Sequence, residues 1–161
     1  MRTTLLALAL LTFSVGASAQ APQAPQAPAG GRGAQPGLEH VAKLVDQARE
    51  AGLPTELRIE GEAVELAPSS DLTAYRVVQE GLTNALKHAK ANHAEVLVRY
   101  DGAEVEVVVR DNGRGGGSGD GGGHGLVGMR ERVAVSGGEL HAGRLAEGGF
   151  ELRARIPVSA A

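Results

Sequence analysis

A two-residue break between two alternating stretches is the feature that most restricts how this chain folds. Residues 94–100 and 103–110 each place apolar side chains at every second position, which is the periodicity of β-strands. Asp101 and Gly102 lie between them, and Asp-Gly is a favoured pair in two-residue type I′ turns. The pattern therefore predicts an antiparallel hairpin with a type I′ turn at Asp101 and Gly102.

Apolar residues at helical spacing predict three helices around this hairpin. The first begins at Leu38 and is stopped by Gly52. The second begins near residues 68–71, where serine and aspartate side chains are candidate caps, and runs to about Ala89. The third covers residues 126–136, despite an internal glycine.

Three further strands are predicted around Leu57 and Ile59, around Leu140 and Ala142, and over residues 150–156. Helices enter between the strands of a meander instead of alternating strictly with them. This order favours helices packed on one face of a mixed, mostly antiparallel sheet. The predicted fold class is an α/β (α+β) two-layer sandwich.

The N-terminal 37 residues differ in composition from the rest of the chain. Residues 1–19 carry a basic residue, an apolar run at 5–15 and small residues at 17–19, which is typical of a secretory signal peptide. A transmembrane fragment is the alternative, but the run is too short to cross a bilayer. Residues 20–37 are rich in Ala, Pro, Gln and Gly and predict an extended linker. The folded domain is predicted to span residues 38–158.

Whole-chain charge and cysteine content exclude several functional classes. A formal net charge of −3 provides no basic surface of the kind that binds nucleic acid. The chain has no cysteine, so disulfides and thiolate metal sites are impossible. Charged and hydrophobic fractions near the globular average indicate a folded, water-facing domain.

The predicted second helix carries a polar stripe opposite its apolar face. The apolar side consists of Tyr75, Val78, Leu82, Ala85, Leu86 and Ala89. The opposite side presents an acid, an amide, an amine and an imidazole within about two turns, from Glu80, Asn84, Lys87 and His88. A solvated face is the alternative interpretation, because exposed helix sides are usually charged.

Asp111 directly follows the second hairpin strand, and glycines at positions 113 and 115 let the backbone turn tightly there. A carboxylate at such a strand end can meet a flat ligand that approaches the glycines. The alternative is that Asp-Asn-Gly is simply a turn.

Glycine occupies nine of the 13 residues 113–125, which predicts a mobile loop before the third helix. Gly123, Gly125 and Gly128 open that helix, where free backbone N–H groups form a site suited to phosphate. The spacing also fits a dinucleotide-binding fingerprint, but the preceding strand lies a long loop away and belongs to a hairpin. No Gly-Lys pair exists, so a Walker-type phosphate loop is excluded.

The order of these motifs resembles the GHKL ATPase superfamily. That order is Glu80-x-x-x-Asn84-x-x-Lys87-His88, a hairpin, Asp111-x-Gly113-x-Gly115, a Gly-rich loop and Gly123-x-Gly125-Leu126-x-Gly128-Met129. Residues 75–89 are especially similar to two-component histidine kinases that signal to LuxR-like response regulators. The resemblance covers about residues 38–158 and implies a Bergerat-type ATP-binding fold.

The resemblance implies a catalytic and metal-binding role for the second helix. Asn84 would bind Mg²⁺ through its amide oxygen, beside phosphate oxygens and water. Glu80 would hold a metal-bound water or orient the nucleophile. Lys87 and His88 would face the phosphates of ATP.

The resemblance assigns the remaining nucleotide contacts to the other two motifs. Asp111 would accept a hydrogen bond from the adenine exocyclic amine, and Gly113 and Gly115 would leave room for the base. The last motif would contact the phosphates, with backbone N–H groups of its glycines as donors, over Gly123, Gly125, Leu126 and Gly128.

As partners, the resemblance implies ATP, a histidine phosphoacceptor on a dimerisation segment in trans and, indirectly, a response regulator. It implies neither nucleic acid binding nor membrane contact by the folded domain. A dimerisation segment is not evident before Leu38, and Gly148-Gly149 stands where many relatives have threonine. A cytoplasmic location follows from the family, whereas the signal-like leader indicates export.

Two other functions stay open at this point. One is a nucleotide-binding or partner-binding module that has lost its phosphoacceptor and is not catalytic. The other is a serine kinase of the anti-sigma-factor type, which shares the superfamily fold.

Overall fold

The computed structural model describes residues 35–114 and 123–158. A short 3-10 turn (Leu38–His40) leads into the first helix. The helices are α1 (Val41–Glu50), α2 (Pro68–Lys87) and α3 (Gly123–Val135). The strands are β1 (Thr55–Glu60), β2 (Ala94–Tyr100), β3 (Glu104–Asp111), β4 (Glu139–Arg144) and β5 (Phe150–Pro157). The predicted leader, nearly all of the predicted linker and most of the predicted Gly-rich loop lie outside the described residues.

The strands form one sheet in the order β1-β2-β3-β5-β4. β1 pairs with β2 in parallel, and the other three pairs are antiparallel. The β2–β3 pair is the hairpin that the sequence pattern predicts. The mixed, mostly antiparallel sheet is therefore confirmed.

The helices cover one face of this sheet. Alternate strand residues on that face are apolar and are buried beneath the helices. α2 contacts β3 and β5 at the centre, α1 lies against β1, and α3 lies against β4. The sheet contributes Val96, Val98, Val105, Val107, Val109, Leu152, Ala154 and Ile156 to the core. Helix α2 contributes Tyr75, Val78, Leu82 and Ala85. The two-layer sandwich is confirmed.

Gly81 allows α2 to lie close to the sheet. A Cβ atom built on Gly81 would be 2.9 Å from Cβ of Val109, so a larger residue would push the helix off β3. This glycine stands in the middle of a helix, where glycine is unfavourable by about 1 kcal/mol relative to alanine. Close helix–sheet packing explains its presence.

The other face of the sheet carries charged side chains. Glu106 of β3 is buried there beneath long arginine side chains. Its carboxylate accepts hydrogen bonds from Arg99 at 3.1 Å, Arg153 at 2.9 Å and Arg155 at 3.2 Å. The alternation of polar and apolar residues in the hairpin therefore separates a charged layer from an apolar one.

The type I′ turn predicted for the hairpin is wrong, although the hairpin itself is correct. Tyr100 pairs with Val105, so the two central turn residues are Gly102 and Ala103. Gly102 has φ +89°, whereas Ala103 has no positive φ, and a positive φ at the first central residue alone is the type II′ pattern. The Asp101 side chain accepts hydrogen bonds from the N–H groups of Ala103 and Glu104.

Capping of the second helix also differs from the prediction. Ala67 is the N-cap, without a side-chain hydrogen bond, and Pro68 occupies the first turn, where its fixed φ suits a helix start. Asp71 instead accepts a hydrogen bond from Leu38 N at 2.9 Å. This candidate cap therefore ties the start of the folded region to α2. Within the described ranges, no helix has the length and apolar character needed to cross a membrane.

Candidate functional site

The polar stripe of α2 is present, and its side chains become more exposed to solvent towards the end of the helix. The opposite face is buried against the sheet, through residues that include Val78, Leu82 and Ala85. Along the stripe, Glu80 and Asn84 are half-buried, whereas Lys87 and His88 are exposed. The half-buried acid and amide lie one turn apart, as their spacing requires. Their oxygen atoms are hard ligands of the type that Mg²⁺ accepts.

The helix that carries this stripe ends at Lys87, earlier than the predicted end near Ala89. The main-chain carbonyl of Asn84 accepts hydrogen bonds from the N–H groups of His88, at 2.9 Å, and Ala89, at 3.2 Å. His88 is therefore the C-cap residue and does not belong to the helix. Helix ends commonly shift by one or two residues in this way.

Asp111 is the last residue of β3 and faces a partly desolvated environment. Burial raises the pKa of its carboxyl group, and a hydrogen bond from Gly113 N to Oδ1, 2.8 Å long, offsets part of that shift. Water is thus partly excluded from a carboxylate that one backbone donor stabilises. A ligand that donates a hydrogen bond could replace the lost solvation.

Gly113 brings this strand end against the end of α2. A Cβ atom on Gly113 would clash with the carbonyl oxygen and side chain of Ala89. Glycine at 113 is therefore needed for close approach, because the residue is buried and has no unusual φ. The contact places the residues that follow Asp111 against Ala89, whose N–H is bonded to the carbonyl of Asn84.

Gly149, in the loop between β4 and β5, is also required by its surroundings. Its φ is +95°, and a Cβ atom there would clash with the carbonyl oxygen of Asp111. A side chain at 149 would therefore both strain the backbone and displace the end of β3.

The start of α3 lies close to Glu80. A Cβ atom on Gly125 would be 2.7 Å from Glu80 Oε1, so the glycine leaves room for that carboxylate. Gly128 lies near the guanidinium of Arg132, at 3.6 Å from a Cβ atom built on the glycine. The side chain of Leu126 packs against the apolar core, which leaves its main chain as the part that a ligand could contact.

The predicted site residues thus form two contact groups and some outlying positions. Glu80 lies against Gly125, and Gly113 is bonded to Asp111 and lies against Ala89, just after α2. Gly123 is the first residue of α3, which begins three residues before the predicted start. Gly115 lies outside the described residues.

A groove of about 370 Å³ borders Glu80 between α2 and α3, and its other lining residues are Leu72, Thr73, Arg76, Gln79 and Arg132. A second cavity, of about 200 Å³, lies on the charged face of the sheet and contains none of the predicted site residues. The described ranges hold no cluster of three or more His, Cys, Asp or Glu residues able to bind a metal.

Sequence reasoning missed two residues that shape the site. The Asp-Asn-Gly turn pattern assigns no role to the Asn112 side chain, yet that side chain accepts hydrogen bonds from the loop that follows α2. Gly81 carried no functional prediction, and its close approach to Val109 is a tertiary contact that no local pattern reveals. For Asn112, the available signal was its position between Asp111 and Gly113.

Residues 70–160 match the family described as histidine kinase-, DNA gyrase B- and HSP90-like ATPases. The chain belongs to this family. Its curated relatives include the sensor histidine kinase YxjM of Bacillus subtilis, 34% identical over 76% of this chain. The histidine-protein kinase/phosphatase DegS of Brevibacillus brevis is 30% identical over 77% of it. The domain is therefore an ATPase domain of the histidine kinase type.

The chain spans about a third of the length of these curated relatives, 30% of YxjM and 32% of DegS. Among solved structures, the blue-light activated histidine kinase EL346 of Erythrobacter litoralis matches with a TM-score of 0.59 and 24% identity. That match covers 75% of this chain and 41% of the kinase. The catalytic domain of histidine kinase ThkA matches with a TM-score of 0.58 and 16% identity, over 76% of this chain and 94% of that domain. These likenesses show the shared fold.

Proposed function

We propose that residues 38–158 form the Mg-ATP-binding catalytic domain of a sensor histidine kinase. The domain would donate the γ-phosphoryl group of ATP to a histidine on a separate dimerisation segment. The observation that carries this proposal is the contact of Gly113, two residues after Asp111, with Ala89, whose N–H is bonded to the carbonyl of Asn84. A hydrogen-bond acceptor for adenine, Asp111, and oxygen ligands for a metal, from Glu80 and Asn84, would then border one site.

Asp111 would recognise adenine. Its half-buried carboxylate has lost part of its hydration, and burial raises its pKa. The exocyclic amine of adenine can donate to that oxygen, while guanine presents a carbonyl there. ATP is therefore expected to bind better than GTP. Gly113 and Gly115 would leave space for the flat base.

Asn84 and Glu80 would act at the phosphate end. Bound Mg²⁺ neutralises phosphate charge and fixes phosphate geometry. Asn84 would supply its amide oxygen to the ion, and the half-buried Glu80 would orient a metal-bound water or the attacking imidazole. Separating these two roles requires measuring binding and transfer independently.

Cations and main-chain donors would hold the phosphates. Lys87 and His88 are exposed at the end of α2, where they can turn towards a triphosphate. The first turn of α3 has N–H groups without helical partners, and such groups bind anions. Of the predicted motif, Gly123 and Gly125 lie in that first turn, whereas Leu126 and Gly128 lie beyond it, where N–H groups bond within the helix.

Calorimetry with ATP and GTP, with Mg²⁺ and with a chelator, tests the binding half of the proposal. We expect Mg-dependent ATP binding, and Asn84→Ala should remove more of the Mg-dependent affinity than of the metal-free affinity. Thr83→Ala is the matched control, because that hydroxyl bonds the Gln79 carbonyl within the same helix. Equal affinity for ATP and GTP would contradict the role of Asp111.

Incubation with γ-labelled ATP and a dimerisation segment from a related kinase tests phosphoryl transfer. We expect acid-labile label on the segment, formed slowly because no tether raises the local acceptor concentration. Glu80→Gln should abolish the label while ATP binding persists. Binding without transfer to a competent segment would favour the non-catalytic module, and label on serine of a partner would favour the serine kinase.

The biological setting follows from the same proposal. Residues 75–89 favour kinases that signal to LuxR-like response regulators, so the regulator would be an indirect partner. We place the domain in the cytoplasm, where ATP is available, and residues 1–19 and 20–37 would be leader and linker. Fractionation of cells that express the full chain tests this placement.

A further inference from the structure

Asn112 joins the end of β3 to the loop that follows α2. Its Oδ1 accepts hydrogen bonds from the main-chain N–H groups of Asn92 and His93, each at 3.1 Å. Its Nδ2 donates to Asn92 Oδ1 at 2.7 Å, and its own main-chain N–H donates to His93 O at 3.3 Å. An amide side chain has both the acceptor and the donor that this arrangement uses.

The loop held by Asn112 connects the end of α2 to β2. It begins at Ala89, whose N–H is bonded to the Asn84 carbonyl, and it contains Lys90 with φ +50°. A left-handed lysine is uncommon and needs support from its surroundings. The hydrogen bonds from Asn92 and His93 to Asn112 supply such support from β3.

The neighbours of Asn112 are both predicted nucleotide contacts. Asp111 precedes it with a half-buried carboxylate, and Gly113 follows it in contact with Ala89. The bonds of Asn112 therefore tie the chain on either side of it, at Asp111 and Gly113, to a loop that is itself bonded to α2 through Ala89 and Asn84. The side chain of Asn112 is exposed, so it is not required to fill the core.

We propose that Asn112 is a positioning residue that holds the Asp111 carboxylate at a fixed place relative to α2 and thereby sets adenine affinity. The inference rests on the proposed function, since it assigns a role within the same ATP site. Its physical basis is preorganisation: a carboxylate fixed before binding loses less freedom when adenine arrives. Asn112 itself does not need to touch the nucleotide.

The test compares ATP with a purine riboside triphosphate, which lacks the exocyclic amine that Asp111 would accept from. In the full chain, Asn112→Ala should weaken Mg-ATP binding roughly tenfold, as expected when several net-weak hydrogen bonds are lost. Affinity for the analogue should change little. Asn92→Ala removes one of the three side-chain bonds and should give a smaller loss. Asn112→Asp keeps both acceptor bonds but loses the Nδ2 donor to Asn92, so its loss should be at least that of Asn92→Ala and smaller than that of Asn112→Ala.

Asp101→Ala is the matched control. Asp101 Oδ1 also accepts two main-chain N–H groups, from Ala103 and Glu104, but at the opposite end of the same hairpin. It should leave the affinity for both nucleotides unchanged, and thermal melts confirm that all variants are folded at the assay temperature.

Equal loss of ATP and analogue affinity in Asn112→Ala, or no loss of either, overturns the positioning role while the proposed function stands. If the wild-type chain binds neither nucleotide, the proposed function fails and the inference fails with it.

Discussion

The two ends of the β2–β3 hairpin each carry an aspartate with a glycine one or two residues later, yet the two carboxylates differ. Asp101 is exposed, and hydrogen bonds from the N–H groups of Glu104 and Ala103 lower its pKa. Asp111 is half-buried, and burial raises its pKa despite one bond from Gly113. The first carboxylate is satisfied by its own turn, whereas the second keeps capacity for a partner.

This difference separates a structural turn from a proposed binding site where the local sequences are alike. Asp101-Gly102 and Asp111-x-Gly113 are both ordinary turn sequences. The distinction comes from what surrounds them: Gly102 has open space around it, whereas Gly113 contacts Ala89. Neighbouring elements, and not the turn sequence, therefore decide which aspartate can bind a ligand.

The largest expected effect is on nucleotide affinity. Asp111→Asn should weaken Mg-ATP binding roughly 10- to 100-fold, because hydrogen bonds to charged groups contribute about 1.5–3 kcal/mol. Asp101→Asn should leave affinity unchanged. Calorimetry measures the ATP affinity of both variants. A similar loss of affinity in both would show that the two aspartates do not differ in ligand binding.

The two glycines should differ in what their replacement disturbs. Gly113→Ala forces a Cβ atom into Ala89, so it should lower the free energy of unfolding by roughly 1–3 kcal/mol and reduce ATP affinity as well. Gly102→Ala strains a positive φ without a clash, which costs about 1 kcal/mol. Its ATP affinity should match wild type. Denaturant unfolding combined with ATP titration checks both, and retained affinity in Gly113→Ala would argue against a close-packed site.

Stability should respond with opposite signs to loss of the two carboxylates. Asp101→Ala removes two main-chain hydrogen bonds and should lower the melting temperature by a few degrees. Asp111→Asn removes a partly desolvated charge and should leave the melting temperature equal or slightly higher. Scanning calorimetry without nucleotide measures both. A lower melting temperature in Asp111→Asn would indicate a structural role for that charge.

The smallest expected effect concerns acid pH, and in particular the pH at which stability from Asp101 and ATP affinity are each lost. The lowered pKa of Asp101 stabilises the fold above its unfolded pKa, and this contribution is lost as pH falls through the folded value. The raised pKa of Asp111 makes its ionised form unfavourable, so this group favours the fold at low pH and loses that contribution as pH rises through the folded value. Adenine binding needs the ionised form.

ATP affinity should therefore fall at a higher pH than the stability contributed by Asp101. ATP affinity and stability measured at several pH values between neutral and acid check this order. In the control, Asp111→Asn, the change in affinity that comes from protonation of Asp111 is removed. The change that comes from protonation of ATP itself is the same in both proteins. An unchanged acid profile in Asp111→Asn would contradict the assignment.

The sequence predicted the elements of this fold well because their signals are local. Alternation in residues 94–110 and helical spacing after Val41 depend on neighbouring residues, and the predicted elements match the observed ones. The type of hairpin turn was missed because the strand register shifts the central residues to Gly102 and Ala103. Asp71 was expected to cap α2, but a partner 33 residues away, Leu38, uses its carboxylate.

The candidate site was predictable to the extent that its residues occur in ordered motifs. Glu80, Asn84 and Asp111 could be selected because their order resembles a family. The contribution of Asn112 could not, since its partners at Asn92 and His93 lie about 20 residues earlier and meet it only in the folded sheet. The close approach of Gly81 to Val109 is likewise a tertiary contact, and no periodic pattern in the sequence indicates it.

The single parallel strand pair has a consequence for folding during synthesis. β1 leaves the ribosome early, but its sheet partner β2 follows only after the whole of α2, because Thr55 pairs with Ala94. The hairpin of β2 and β3 closes locally, and contacts between distant residues form more slowly than local ones. Until β2 emerges, β1 has no strand to join, and its Ile59 remains 60% exposed even in the finished edge strand. The first strand made thus waits for its partner until α2 is complete, and a nascent chain stalled within α2 would present an unpaired β-edge to chaperones and to other chains.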